Sequence, residues 1–146
     1  MLDLAALQPH VEEMADYVAA REQFARALAA GTSSLILANC AQPLGHEQKA
    51  ALEKTIGAPV IEINFQTHFD LLHPLRPQVN ALVQKIVRRL NDFGASQLDY
   101  LVPPAHAAAA YLLPQYLILA DPGNTVGLVW LKRDDDRQSF VLGGVE

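Results

Sequence analysis

An apolar run that stops at a polar loop and is followed by a helix is the feature that most limits how this chain can fold. Leu35–Ala38 is aliphatic and uncharged, which is typical of a buried parallel strand. The run ends at Asn39, and the residues from Glu47 to Ile56 have helical spacing up to Gly57, a residue that favours a helix C-terminus. Together these segments predict a strand–loop–helix unit of an open α/β sheet.

The same alternation continues along the chain. We predict further strands at 59–65 and 98–102, helices at 75–92 and 105–120, and a break or kink near Pro114. Residues 126–132 and 139–145 predict a closing hairpin. Strands that alternate with helices form parallel sheets with right-handed crossovers. The predicted fold is therefore a mostly parallel α/β sheet with helices on both faces and one antiparallel edge strand from the hairpin.

A helix at 9–29 is predicted ahead of this pattern. Pro9 suits the first helical position, and Gly31 lies just past the end. Apolar residues recur every seven positions, with Arg21 as the interruption: Leu4, Val11, Val18 and Ala25 in one series, and Leu7, Met14 and Leu28 in the other. Such a stripe fits either a helix laid on the core or a dimerisation arm. We divide the chain into an N-terminal helical extension, 1–31, and a domain, 32–146.

Composition favours one compact domain that folds in a reducing compartment. The chain has 146 residues, of which 51% are hydrophobic and 18% charged. A single cysteine, Cys40, excludes an internal disulfide framework and fits the cytosol. No apolar stretch has the roughly 20 residues that span a bilayer, and the first residues lack the pattern of a signal peptide. We therefore expect a cytoplasmic protein with no membrane partner.

The distribution of charge limits the class of partner. The net charge is −5, but residues 32–92 alone carry a slight positive excess, and both flanking segments are acidic. Long nucleic acid requires a dense stripe of Lys and Arg, which this sequence lacks. A small anion can still bind to an acidic protein, because exposed charges are screened beyond about 8 Å at physiological salt.

The loop after the first strand is the first candidate site, because open α/β sheets bind ligands beyond the carboxyl ends of their strands. Asn39 and Gln42 have amides that can bond a base edge or a phosphate, and the helix N-terminus favours an anion. A protonated His46 would add positive charge. Alternatively, these polar groups only satisfy the strand end and cap the helix. The candidate ligand-binding residues of this loop are Asn39, Cys40, Ala41, Gln42 and Pro43.

A second corner follows residues 98–102. The candidate ligand-binding residues there are Pro103, Pro104 and Ala105. Two consecutive prolines fix a rigid loop, and His106 can orient a ribose hydroxyl or carry a proton. Equally, His106 can be an ordinary histidine in the first turn of a helix. We take His106 and His46 as the candidate catalytic residues.

Two other patterns do not support a site. Cys40 lacks the neighbouring arginine or phosphatase-type loop that would stabilise a thiolate nucleophile. The spacing of His68, Asp70 and His73 matches no standard zinc pattern, and Asp70 is a common turn residue. We therefore predict neither a metal nor a cofactor.

Four short runs within residues 34–120 resemble segments of a known family. They are Leu-Ala-Asn-Cys-Ala-Gln-Pro-Leu-Gly-His-Glu-Gln, Ile-Gly-Ala-Pro-Val-Ile-Glu-Ile, Phe-Asp-Leu-Leu-His-Pro-Leu-Arg-Pro-Gln-Val and Tyr-Leu-Val-Pro-Pro-Ala. The chain is similar to stand-alone CRISPR-associated proteins of type III systems, which have a CARF-related Rossmann-like domain. In that family the first strand leads into a polar-His-Pro-Leu turn and a later strand ends in Pro-Pro. Here Ala41-Gln42 replaces the Ser-His pair, and Gly45 replaces the usual threonine.

The resemblance implies a homodimer that binds a cyclic oligoadenylate, with the tetra-adenylate expected, across its two-fold axis. It also implies a metal-independent ring nuclease that switches off antiviral signalling. In that reaction a ribose 2′-hydroxyl attacks the adjacent phosphate and leaves a linear product with a 2′,3′-cyclic phosphate, which needs positioning more than a strong base. Two alternatives stay open: a non-catalytic binder that sequesters the messenger, and a structural adaptor that acts through its first helix.

Overall fold

The fold follows from a computed structural model that describes residues 4–65, 67–95, 97–123, 125–134, 136 and 139–146, with the backbone alone at 4–10, 12, 133–134 and 139–140. Strands and helices alternate as predicted. The helices are α1 (Leu4–Ala29), α2 (His46–Ile56), α3 (Leu75–Phe93) and α4 (Ala107–Ala120). The strands are β1 (Leu35–Asn39), β2 (Val60–Asn64), β3 (Tyr100–Val102), β4 (Gly127–Asp134) and β5 (Ser139–Val145).

The five strands form one sheet in the order β2-β1-β3-β4-β5. Strands β1 to β4 are parallel, and β5 pairs with β4 in the antiparallel direction. This arrangement confirms the predicted Rossmann-like α/β fold with a C-terminal hairpin. The chain first builds outward from β1 to β2 and then returns to the other side of β1 for β3. The sheet therefore has a topological switch point between β1 and β3.

Helices cover both faces of the sheet, as predicted. Side chains alternate between faces along a strand, so Ile36 and Ala38 of β1, and Cys40 directly after it, face the core beneath α1, α3 and α4. Leu37 faces the opposite side, where α2 covers a second apolar cluster. Helix α3 supplies the largest apolar face, and it ends at Gly94, whose φ of 75° suits a residue without a side chain.

Helix α1 packs on the sheet through a face other than its heptad stripe. Tyr17 and Ala20 are buried in the core, whereas Val11 and Val18 of the stripe are exposed. Glu13, on the packed face, is also buried and forms an ion pair with Lys85 of α3. From Val11 to Leu28, where side chains are described, the apolar stripe is therefore left on the surface.

Several element bounds differ from the sequence predictions by a few residues, and α4 begins at Ala107 rather than at residue 105. Helix α1 begins at Leu4, so Pro9 lies inside the helix rather than at its first position. Proline there lacks the N–H that would donate a hydrogen bond within the helix. Strand β3 begins at Tyr100 rather than at Leu98. Helix α4 runs across Pro114 as one continuous element, because its buried face (Ala109, Leu113 and Leu117) holds it against the sheet on both sides of the proline.

The lengths and sequences of the helices also bear on membrane association. Among the described residues, none of the helices combines the length and the apolar character that crossing a bilayer requires.

Candidate functional site

The two predicted corners lie side by side at the switch point. Asn39, the last residue of β1, is the register partner of Val102, the last residue of β3. The N–H of Cys40 then donates a 3.0 Å hydrogen bond to the carbonyl of Val102. Both loops therefore leave the sheet from neighbouring positions at its carboxyl edge. In sheets of this strand order, that crevice is where ligands bind.

The Asn39 side chain is fully buried and shapes the first loop. Its Nδ2 donates to the Gln42 carbonyl at 2.8 Å and to Glu62 Oε2 at 2.7 Å. Its Oδ1 accepts from the Ala41 N–H at 2.9 Å. Both amide protons are therefore bonded inside the protein, and Asn39 contributes to a ligand site by fixing the path of the loop.

Glu62 is a site residue that the sequence analysis missed. It lies on β2, and its Oε2 accepts hydrogen bonds from the Asn39 side chain and from the Leu44 N–H, the latter at 2.9 Å. One carboxylate oxygen thus holds both the start and the end of the loop. The available signal was a single acidic residue inside the aliphatic strand Val60–Ile63.

At the carboxyl edge, Cys40 forms hydrogen bonds through its backbone, and its thiol is buried. The side chain is 1% exposed and packs among the apolar residues beneath α3. Burial raises the pKa of Cys40 to about 12, and the opposing effect of the Lys85 charge is smaller. The thiol is therefore protonated at neutral pH, which agrees with the sequence argument against a cysteine nucleophile. The Cys40 carbonyl accepts a 2.8 Å hydrogen bond from Thr67 Oγ1.

The outer part of the first loop presents polar groups to solvent. Gln42, Pro43 and His46 are exposed, and Ala41 is half-buried. Helix α2 begins at His46, after Gly45, whose N–H donates to Gln48 Oε1 at 2.7 Å. The accessible Gln42 amide and His46 imidazole thus stand at a helix N-terminus, where the helix dipole favours an anionic group.

The second corner is rigid and ends in a capping histidine. Pro103 and Pro104 are buried, and Ala105 is exposed. His106 is the N-cap of α4, and its Nδ1 accepts a 3.2 Å hydrogen bond from the Ala109 N–H. That bond assigns the ring proton of the neutral imidazole to Nε2. In this tautomer His106 can donate a hydrogen bond to an oxygen of a ligand, but it cannot accept a proton at Nε2.

The loop after β2 borders the second corner. The rings of Phe69 and His106 lie 5.7 Å apart. Within the loop, Asp70 Oδ2 lies 2.5 Å from His73 Nδ1, and the Asp70 N–H donates to Gln78 Oε1 at 2.7 Å. Over the ranges with described structure, no three His, Cys, Asp or Glu residues are grouped so that they could hold a metal ion. The His-x-Asp-x-x-His pattern here builds a closed turn.

Histidines are concentrated at the carboxyl edge of the sheet. Of the five in the chain, one follows β1, two follow β2 and one follows β3: His46, His68, His73 and His106. Each protonated imidazole would add positive charge to this edge. These residues follow three different strands and are spread over 61 positions of sequence. Only the strand order therefore reveals that they share one edge.

A separate cleft of about 360 Å³ opens at the opposite end of β1. Phe24 and Leu28 of α1 form one wall, and Ser33, Ser34 and Asp99 form the other. The Asp99 carboxylate accepts a 2.8 Å hydrogen bond from the Ile36 N–H, which fixes the start of β1. The predicted site residues lie at the other edge of the sheet, so this cleft and the switch point are distinct features.

Comparison with family models, curated proteins and solved structures found no match for this chain. The function must therefore be inferred from the residues of the switch point.

Proposed function

We propose that this protein is a homodimer that binds a cyclic oligoadenylate, with the tetra-adenylate as the expected ring, at the carboxyl edge between β1 and β3. The observation that carries the proposal is the direct contact of the two corners, through the Cys40 N–H and the Val102 carbonyl at 3.0 Å. This contact supports one shared crevice, at the position where open α/β sheets bind nucleotides.

The accessible groups of the crevice suit adenylate chemistry. The Gln42 amide offers a donor and an acceptor, which match the edge of an adenine base. The first turn of α2 and the imidazole of His46 favour the phosphates. His106 Nε2 provides a further donor for a phosphate or ribose oxygen at the second corner.

Two polar groups of the switch point are unsuited to general-base cleavage, which favours retention of the ring and leaves the exposed imidazole of His46 as the candidate base. Cys40 is a buried thiol, and the Nδ1 lone pair of His106 is occupied by the cap of α4. The crevice thus offers donors for binding, while these two residues offer no general base. A protein of this kind would lower the free concentration of the messenger and so damp type III CRISPR signalling.

Ring cleavage is the second candidate function. It is favoured by the position of His106 at the switch point, where the Nε2–H can donate to the oxygen that leaves the phosphorus. The attacking group would be a ribose 2′-hydroxyl of the ligand, held in line with its own phosphate. Its oxygen would form the new bond to phosphorus and lose its proton to water, while the bond from phosphorus to O5′ breaks and O5′ takes up a proton from water. The product would be a linear oligoadenylate ending in a 2′,3′-cyclic phosphate.

One experiment separates these functions. Radiolabelled cyclic tetra-adenylate is incubated in EDTA with protein in stoichiometric excess, and bound and free ligand are separated before chromatography of the nucleotide. We expect the intact ring to remain with the protein. A linear product with a cyclic phosphate would support the nuclease instead. An unbound ring at tens of micromolar protein would overturn the proposal and leave the adaptor function.

Matched variants locate the binding site. Gln42→Ala removes an exposed amide from the first corner, whereas Gln84→Ala removes an exposed amide from the outer face of α3. We expect the first to weaken ring binding about 5-fold to 150-fold, the usual range for a lost polar contact of about 1–3 kcal/mol, and the second to leave it unchanged. Equal affinity of both variants would place the ligand elsewhere.

A further inference from the structure

Helix α4 presents an uncharged apolar face to solvent. Residues 101–120 contain no Asp, Glu, Lys or Arg. One side of α4 is buried in the core, but Tyr111, Ile118 and Leu119 on the other side are 70%, 52% and 75% exposed. The exposed side also carries Gln115 but no charge, and a helix side this rich in large apolar residues is normally covered.

The outer faces of the other helices are different. Exposed charged residues interrupt each of them, including Glu47 and Lys54 on α2 and Arg76 and Arg88 on α3. The exposed heptad stripe of α1 has Arg21 within it. Helix α4 is therefore a better candidate for a covered surface than the stripe on α1.

We propose that α4 is the interface with a second copy of this chain. A two-fold axis sets a surface against itself, so that a charge near the axis faces an identical charge. The uncharged face of α4 meets this condition without any compensating pairs. A different protein partner would more commonly be selected by complementary charges, which this face does not offer.

Two exposed leucines add apolar surface near the start of α4. The loop that follows Phe69, which also carries the Asp70–His73 pair, exposes 78% of Leu71 and 92% of Leu72, and the contact of Phe69 with His106 places this loop beside the start of α4. Together with the three exposed residues of α4, these leucines expose roughly 700 Å² in all, polar atoms included, against the ~800 Å² per partner of a standard interface. Monomeric proteins usually expose only a few hundred Å² in one apolar patch.

The direction of packing determines whether the two crevices meet. Two copies of α4 packed in parallel would be about 8–10 Å apart, with both His106 residues at the same end. Packed antiparallel, the 14-residue helix would separate these residues by about 21 Å. If the proposed function is correct and one ring is shared by two copies, the helices are parallel, and each copy contributes its Ala105–His106 corner.

The interface is tested with charge substitutions on the two exposed helix faces. We compare the wild type, the double variant Tyr111→Glu/Leu119→Glu and the α1 variant Val18→Glu by light scattering over a dilution series. We expect the wild type and Val18→Glu to be dimers, and the double variant to dissociate with a dimer Kd raised at least 10-fold. A monomeric wild type, a dimeric double variant, or dissociation caused by Val18→Glu alone would overturn the proposal.

Circular dichroism melting of dilute protein checks that the substituted side chains, all exposed, leave the fold of the monomer intact. If the double variant loses its helical signal, the smaller changes Ile118→Ser and Leu119→Ser replace it in the light-scattering test. Dissociation of these variants supports the α4 interface, and dimers as stable as those of the wild type overturn it.

Cysteine cross-linking tests the direction of the helices. Ala108 and Gln115 are exposed on α4, and native Cys40 is buried. Under mild oxidation we expect both Ala108→Cys and Gln115→Cys to form disulfide-linked dimers. Cross-linking through residue 115 alone would indicate antiparallel helices and overturn the shared crevice. A parallel α4 dimer that binds no cyclic tetra-adenylate would instead overturn the proposed function and leave this interface standing.

Discussion

Glu62 of β2 accepts a 2.7 Å hydrogen bond from the Asn39 side chain, at the point where β1 gives way to its loop. The same carboxylate oxygen accepts the Leu44 N–H, so one acidic group fixes the loop at both ends. A carboxylate beneath a loop proposed to bind phosphates is unexpected, because like charges repel. Its negative charge is directed at two donors inside the protein, and these bonds hold the loop in place before any ligand arrives.

Removing that acceptor should destabilise the loop. Glu62→Ala leaves the Asn39 amide and the Leu44 N–H without their acceptor, and we expect a loss of about 1–3 kcal/mol in the free energy of unfolding. Glu62→Gln keeps an oxygen acceptor and should lose less. Urea denaturation measures both values. Asp92→Ala, which removes an exposed carboxylate from α3, is the control and should stay within about 0.5 kcal/mol of wild type.

Asn39 tests the same contact from the other side. Asn39→Asp is nearly isosteric but places a second carboxylate against Glu62, so we expect it to destabilise the protein more than Asn39→Ala at pH 7. Chemical denaturation at pH 7 provides the comparison. An Asn39→Asp protein as stable as wild type would refute the contact.

The Cys40 thiol should be inert while the protein is folded. At pH 8 we expect no alkylation by iodoacetamide in buffer and complete alkylation in 6 M urea, detected by mass spectrometry. Its raised pKa also makes the stability of the fold depend on pH. The folded state keeps a proton that the unfolded chain releases around pH 9.0, the ordinary pKa of a cysteine thiol, so this contribution is complete below pH 9.0 and is lost as the pH rises toward 12. Cys40→Ala should abolish that part of the dependence.

His106 has a capping role and a proposed ligand role, which two substitutions can separate. His106→Ala loses both, and the missing N-cap should cost about 0.5–2 kcal/mol of stability. His106→Asn keeps a side-chain acceptor at the N-cap but removes the imidazole. We therefore expect His106→Asn to melt close to wild type and to bind cyclic tetra-adenylate more weakly. Normal binding by this variant would limit His106 to its structural role.

The bounds of helices and strands could be predicted where a residue at the boundary itself ends the element. The bounds of β1 and α2 agree with the sequence predictions, because a polar residue ends the strand and Gly57 ends the helix. The packing face of α1 could not be predicted in this way. Its buried positions include Glu13, whose partner Lys85 lies 72 residues away in the sequence. An apolar repeat alone points instead to the stripe that remains exposed.

The position of the candidate site in the fold could be predicted from the sequence, but its hydrogen bonds could not. The two corners follow from the alternation of strands and helices, which predicts a parallel sheet whose strand ends carry the loops. The role of Glu62 could not be predicted, because its partners, Asn39 and Leu44, lie at the end of β1 and in the loop that follows β1. The exposure of Tyr111 and Leu119 also depends on how α4 meets its neighbours, since large apolar residues occur on both its buried and its exposed side.

The loop after β1 is held by its main chain. The bonds from Asn39 and Glu62 reach the N–H of Ala41, the carbonyl of Gln42 and the N–H of Leu44, groups that almost every amino acid supplies. The side chains at 41, 42 and 43 can therefore be exchanged while the loop keeps its course. Such a scaffold lets ligand preference diverge between relatives through a few substitutions, and a library randomised at these three positions should yield mostly folded proteins.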